Sequence, residues 1–191
     1  MGFSTIFAVA IIGTLLLFVM GSAIMGLINI NYELSIENIE VLENERQRNN
    51  TSIEILEVEP TVVGNSCTLL DIKIANQGLT SIKVTDFSRI DVILKYYAWP
   101  DGKVKTTWVT YSKTGGSNTW KVDSIYLSNG GSEILNPLGP DKSSGQWDPD
   151  EILEITIELS AENAIKAVPD NPLTIIFVLP NGVKAMYTYI F

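Results

Sequence analysis

Histidine is absent, cysteine occurs once at Cys67, and basic residues are few: 13 Lys and Arg stand against 22 Asp and Glu, giving a formal net charge of -9 and a pI near 4.5. Each shortage removes a class of function. Without histidine there is no Ser-His-Asp triad, and with a single thiol there is neither an internal disulfide nor a His/Cys zinc site. Without a basic stripe the chain is not a nucleic-acid or anionic-lipid binder, since both need clustered Lys and Arg to displace counterions. No enzyme activity and no cofactor are expected. Charge is also missing locally: residues 1 to 32 carry no charged side chain, so all 35 fall in the other 159 residues.

The uncharged stretch from Phe3 to Ile30 has only Ser, Thr and one Asn as polar members. At about 1.5 Å per residue its 28 residues make a helix of ~42 Å, longer than the ~30 Å hydrocarbon core of a bilayer. Gly21-Ser22-Ala23 offers a small-x-small cleavage site after an apolar run, but a secretory signal wants a basic segment ahead of that run. We therefore expect residues 1 to 30 to be retained. The C-terminal flank holds Glu33, Glu37, Glu40, Glu43 and Glu45 before Arg46, which favours that side facing outward. Gly13, Gly21, Ser22, Ala23 and Gly26 lie along the helix, with Ser22 and Gly26 at the small-xxx-small spacing that lets another helix approach closely. The three glycines fall at about 0°, 80° and 220° around the axis at 100° per residue, more dispersed than one helix seam requires. Tyr32, Ile36, Ile39 and Leu42 continue a helical period, and Glu43/Arg46 and Glu45/Arg48 sit at i, i+3. One acidic helix to about Arg48 is the expectation, giving a first unit of residues 1–48 that Asn49 and Asn50 end.

Residues 51–191 read as short β segments divided by turns. Ile53/Ile55, Leu70/Ile72/Ile74 and Ile82/Val84 alternate apolar with polar. Asn76-Gln77-Gly78, Pro100-Asp101-Gly102, Gly115-Gly116-Ser117-Asn118, Asn129-Gly130-Gly131 and Asn181-Gly182 are turn sequences. Strands are predicted between them at Asp91 to Tyr97, Lys105 to Tyr111, Thr119 to Leu127, Glu151 to Leu159, Leu173 to Leu179 and Lys184 to Phe191, about nine in all, with one helical turn at Ser160 to Ile165. The layout is α+β: a long N-terminal hydrophobic helix, then an antiparallel immunoglobulin-like β-sandwich. The last strand is expected to pair inside its own sheet rather than with a neighbouring subunit.

Candidate sites are few. Trp147-Asp148-Pro149-Asp150-Glu151 gathers three carboxylates, which invites a calcium reading; a polar strand entry is the simpler one. Trp99, Trp108, Trp120 and Trp147 could build an aromatic sugar platform, with the Gly/Ser-rich hairpin from Trp108 to Trp120 as the surface to test, although such aromatics more often fill sandwich cores. Cys67 reads as a small buried hydrophobe. Asn49 and Asn50 begin two overlapping glycosylation acceptor sequences in Asn49-Asn50-Thr51-Ser52.

The charge-free Met1-Gly2-Phe3-Ser4 start, the long apolar helix with an acidic extension, and the β domain together resemble the archaeal archaellum accessory proteins of the flagellar protein F and G families, and more distantly archaellins and archaeal type IV pilins. Ile72 to Gly78 is similar to the strand and Asn-Thr-Gly turn of those domains, with Gln77 in place of Thr. Trp147 to Glu151 is similar to their Trp-x-Pro-Gly-Glu turn, with Asp150 in place of Gly. Thr5 stands where a bacterial-type pilin carries Glu. The resemblance implies a noncatalytic structural subunit of an archaellum or type IV pilus-like machine. Its residues 3–30 would sit in the membrane or in a helical filament core, with self-association expected, and its β domain would lie outside the cytoplasmic membrane. An anchoring or stator role toward the S-layer or another envelope protein comes first, a filament subunit for motility or adhesion second, and a membrane-tethered carbohydrate-binding module third.

Overall fold

The computed structural model describes residues 3–127 and 145–191; the turn expected at Asn129-Gly130-Gly131 lies outside the described residues. The chain divides into two units, Met1–Arg46 and Gln47–Phe191.

The first unit is helical, part of a single α-helix, α1, over Phe3–Asn49. Its described apolar side chains are exposed: Leu17, Phe18 and Met25 are each more than 70 % open. Several of its polar side chains bond back to the helix's own carbonyls. Ser22 Oγ donates to Phe18 O at 2.9 Å, Asn31 Nδ2 to Leu27 O at 2.9 Å and Ser35 Oγ to Asn31 O at 2.8 Å. Back-bonding of this kind satisfies a hydroxyl or amide where water is missing.

The second unit is a two-layered, mostly antiparallel β structure of eleven strands: β1 Ile53–Val63, β2 Ser66–Asn76, β3 Ile82–Lys83, β4 Asp91–Tyr97, β5 Val104–Tyr111, β6 Thr119–Leu127, β7 Gln146–Trp147, β8 Glu151–Glu158, β9 Ile165–Lys166, β10 Pro172–Val178 and β11 Lys184–Ile190. One layer runs β1-β2-β8-β6 with β9 beside β2, the other β5-β4-β10-β11, and β3 pairs only with β7. A 3₁₀ turn at Ala161–Asn163 occupies the place of the expected helical turn.

The core lies between the layers, where alternation delivers one face of each strand. Leu70, Ile72 and Ile74 of β2, Leu153, Ile155 and Ile157 of β8, and Val92 and Leu94 of β4 are all buried. An aromatic group joins the layers: Trp120 of β6 stands 5.9 Å from Phe177 of β10, 4.8 Å from Tyr111 and 6.2 Å from Phe87, centroid to centroid. Such spacings fit the offset and edge-on arrangements that ring quadrupoles favour.

One expectation is corrected. The segment from Trp108 to Trp120 is not a hairpin: β5 and β6 pair in parallel at Thr110/Thr119 and Tyr111/Trp120, so the chain crosses there from one layer to the other. Gly115, Gly116 and Asn118, at φ 80°, 135° and 59°, turn the crossing loop through conformations open mainly to Gly and Asn. The final strand β11 does pair within its sheet, with β10 from Pro172/Ile190 to Val178/Lys184, but it is an edge strand with one neighbour.

Candidate functional site

The two turn motifs of the sequence form one clasp. Asn76, fully buried at the end of β2, donates from Nδ2 to Thr80 O at 2.9 Å and to Trp147 O at 3.2 Å, while its Oδ1 accepts the Gly78 N–H at 3.1 Å. Asn76 O accepts the Asp150 N–H at 2.8 Å. Trp147 is buried and donates from Nε1 to Glu151 O at 3.0 Å. The clasp also takes hold of residues 50–52: the Leu79 N–H bonds Asn50 O at 2.6 Å and the Gln77 N–H bonds Ser52 O at 2.8 Å. Glycine is required at 78, since a Cβ there would lie 2.5 Å from Ser52 N and 2.6 Å from Asn50 O.

The calcium reading of this turn loses its main ligand. The Glu151 side chain is folded inward, buried, and accepts the Asp148 N–H at 2.6 Å. Burial raises the Glu151 carboxyl above its ordinary range, with Asp148 adding repulsion and the Asp148 N–H pulling the other way. Asp150 points to solvent at φ 66°. Among the described residues, no three His, Cys, Asp or Glu are grouped to hold a metal ion.

The tryptophans separate. Trp108 is 60 % exposed, on the outer side of β5; Trp120 is fully buried among Phe87, Tyr111 and Phe177. Trp108 and Trp120 therefore do not share the sugar platform they were candidates for: Trp108 pairs with Ile93 on the outer face of its layer, while Trp120, beside Tyr111, faces the core. Trp99 borders a recess of about 630 Å³ with Pro100, Lys103 and Lys105, but both lysines are already engaged: Lys105 Nζ donates to Glu162 O at 3.0 Å, and Lys103 pairs with Asp101 at 3.5 Å.

On the helix, a Cβ built at Gly13, Gly21 or Gly26 meets nothing within 4 Å, so these positions and Ser22 are open to a neighbouring helix. Asn49 is exposed in the last helical position and Asn50 is half-buried. The Thr51 hydroxyl that completes the Asn49 acceptor sequence is buried; it donates to Gln47 O at 2.6 Å and accepts from Asn181 Nδ2 at 2.9 Å. Cys67 is buried beside Leu69 O, and loss of water pushes its thiol up to about 11.

The two outer faces of the β unit differ in a way that strand periodicity alone does not reveal. On the β1-β2-β8-β6 side seven carboxylates stand with two lysines: Glu57 pairs with Lys73 at 2.7 Å, and Glu54, Glu59, Asp71, Asp123, Glu154 and Glu158 share the surface with Lys121. On the other side the register lines up Trp108, Ile93, Ile176 and Met186 in one row across β5-β4-β10-β11. A second apolar row comprises Val104 beside Tyr97 and Pro172 beside Ile190. Thr106, Lys95, Thr174 and Thr188 lie between the rows. The cross-strand register of four strands produces this face.

No family profile matches the sequence, and no curated protein matches it. Among solved structures, the archaeal flagellum of Methanospirillum hungatei strain JF1 has a TM-score of 0.56 at 11 % identity, over 96 % of this chain and 90 % of that one. The archaeal flagellin FlaB1 of Methanocaldococcus jannaschii has a TM-score of 0.52 at 16 % identity, over 73 % of this chain and 89 % of that one. The fold is that of an archaeal flagellin. The archaellum periplasmic stator protein FlaG of Sulfolobus acidocaldarius is also similar, at 19 % identity and a TM-score of 0.44, over 73 % of this chain and 99 % of that one.

Proposed function

We propose that the chain is a noncatalytic structural component of an archaellum-type surface machine, seated by residues 3–30 in the membrane or a helical core and presenting its β unit outside the cytoplasmic membrane. The observation that carries this reading is the combination in one chain of an uncharged, membrane-length helix with an archaeal-flagellin fold. An anchoring or stator role is supported by the membrane-length helix, the one span among the described residues, and by its acidic flank, which suits the outer side of a membrane. A filament role has its own support: the likeness to the Methanospirillum hungatei flagellum covers 96 % of this chain, helix included, and small residues lie on several faces of that helix. An envelope or S-layer protein is the proposed partner in the first role, and further copies of the helix in the second.

Electron microscopy of mechanically sheared cells, with antibodies against residues 51–191, tests both. Label confined to the envelope or to filament bases is the result expected of an anchor; label along the shaft makes the chain a filament subunit. A full-length chain that is monomeric in water without detergent overturns the whole reading.

A further inference from the structure

We propose that the outer face of β5-β4-β10-β11 is a self-association surface on which a second copy of the chain docks through the same face. Its apolar character is not that of an ordinary solvated sheet, since Trp108, Met186, Val104 and Ile190 are 60, 68, 57 and 54 % exposed and lie in registered rows. Charge selects the occupant. Most of the molecule repels its own kind at a net charge of -9, and the opposite face is crowded with carboxylates, but among the described residues the strands of this face turn only Asp91, Lys95 and Lys184 outward as charges. Two copies can meet here without the repulsion they would suffer elsewhere.

Shape selects the geometry. The face bears a knob, the Trp108 ring, and a hollow of about 280 Å³ bordered by Lys95, Tyr97, Val104, Pro172 and Thr174. A two-fold contact needs knob and hollow on one surface, displaced from each other, so that each copy fills the other. The axis exchanging them passes midway between, beside Thr106 on β5. A buried Trp in a pocket is the usual energetic centre of such an interface.

Size sets the strength. Four strands at about 4.8 Å and seven residues at about 3.4 Å span roughly 450 Å² per copy, little more than half of the ~800 Å² that a standard stable interface takes from each partner. The face is too small to hold free copies together and sufficient for copies confined to one membrane, where effective concentration is high. In that respect the inference rests on the proposed seating of the helix.

The test uses the full chain reconstituted in lipid vesicles, with flotation reporting the helix seating separately. Thr106→Cys, close to the axis, is treated with a bis-maleimide spanning about 10 Å, the separation of packed sheets, and compared with Glu59→Cys on the acidic face. Cys67 is buried and does not compete. Expected is a cross-linked dimer from Thr106→Cys well above that from Glu59→Cys. Adding Trp108→Ala to Thr106→Cys should lower the yield about tenfold, with unchanged circular dichroism, since Trp108 supports no core. Raised salt should leave the yield equal or increase it, because it screens the two Lys95 ammoniums. Floating protein with equal yields from both positions, or a yield untouched by Trp108→Ala, overturns the proposal; protein that does not float overturns the helix seating instead.

Discussion

Asn76→Ala removes the hub of the clasp. The side chain makes three hydrogen bonds, to Thr80 O, Trp147 O and the Gly78 N–H. Each is worth about 1 kcal/mol net, and a carbonyl left dry and unpaired costs about 1–3 kcal/mol. Of the three groups left behind, only the Trp147 carbonyl sits in a fully buried bond; water can reach the other two. Two bonds at about 1 kcal/mol each and the dry carbonyl at about 1–3 kcal/mol sum to a loss of about 3–5 kcal/mol. For a unit of this size each kcal/mol moves the midpoint by ~2–4 °C, so Tm should fall by roughly 6–20 °C. Near-UV circular dichroism of the detergent-solubilised full chain follows it through the aromatic core. Asn76→Asp, which keeps the bond from Gly78 and places a carboxylate against two carbonyls, should be at least as damaging. A Tm change within the range of an ordinary surface substitution, about 0.5 kcal/mol, would refute the view that the two motifs are held together through Asn76.

Trp120→Ala should cost about 3–5 kcal/mol, as expected for a large buried aromatic, whereas Trp108→Ala should unfold within about 1 kcal/mol of the parent; equal losses in thermal unfolding would contradict their assignment to core and surface. Burial raises the Glu151 carboxyl, so the folded state holds its proton more tightly than the unfolded one, and this group's contribution is greatest at low pH and lost as pH rises through the folded value. Glu151→Gln should therefore gain stability relative to the parent between the ordinary carboxylate range and neutrality, measured by denaturation at a series of pH values; a constant difference would refute it. Cys67, with its thiol at about 11 and its side chain buried, should resist iodoacetamide at neutral pH until the protein unfolds, as mass spectrometry would show.

Period and turn chemistry made much of the architecture legible. The uncharged run and its acidic continuation fixed α1, and alternation located β4 and β6 to the residue, because one face of each strand is buried and the other wet. The two-residue strands β3, β7 and β9 are too short to show any period. The parallel meeting of β5 and β6 was hidden for a different reason: a glycine-rich loop flanked by alternating strands reads as a hairpin, and only the need to bury Trp120 beside Phe177 sends the chain to the other layer. Asn76-Gln77-Gly78 and Trp147 to Glu151 were each visible as turns, but their union depends on a hydrogen bond spanning 71 residues. The apolar rows were illegible for the same reason, since Ile93 and Ile176 look like outward positions of separate strands until register sets them side by side.

The close approach at Gly78 also has a mechanical meaning. Residues 50–52, where α1 gives way to β1, are gripped from the side by the backbone of residues 77–79 and by the Asn181 amide on Thr51. Tension arriving along the chain from the helix therefore reaches this grip before it reaches the β1–β2 ladder. It works like the strain relief on a cable: a pull on the tether loads a short cluster of cross-bonds, and the first rung of the sheet is spared from being peeled open.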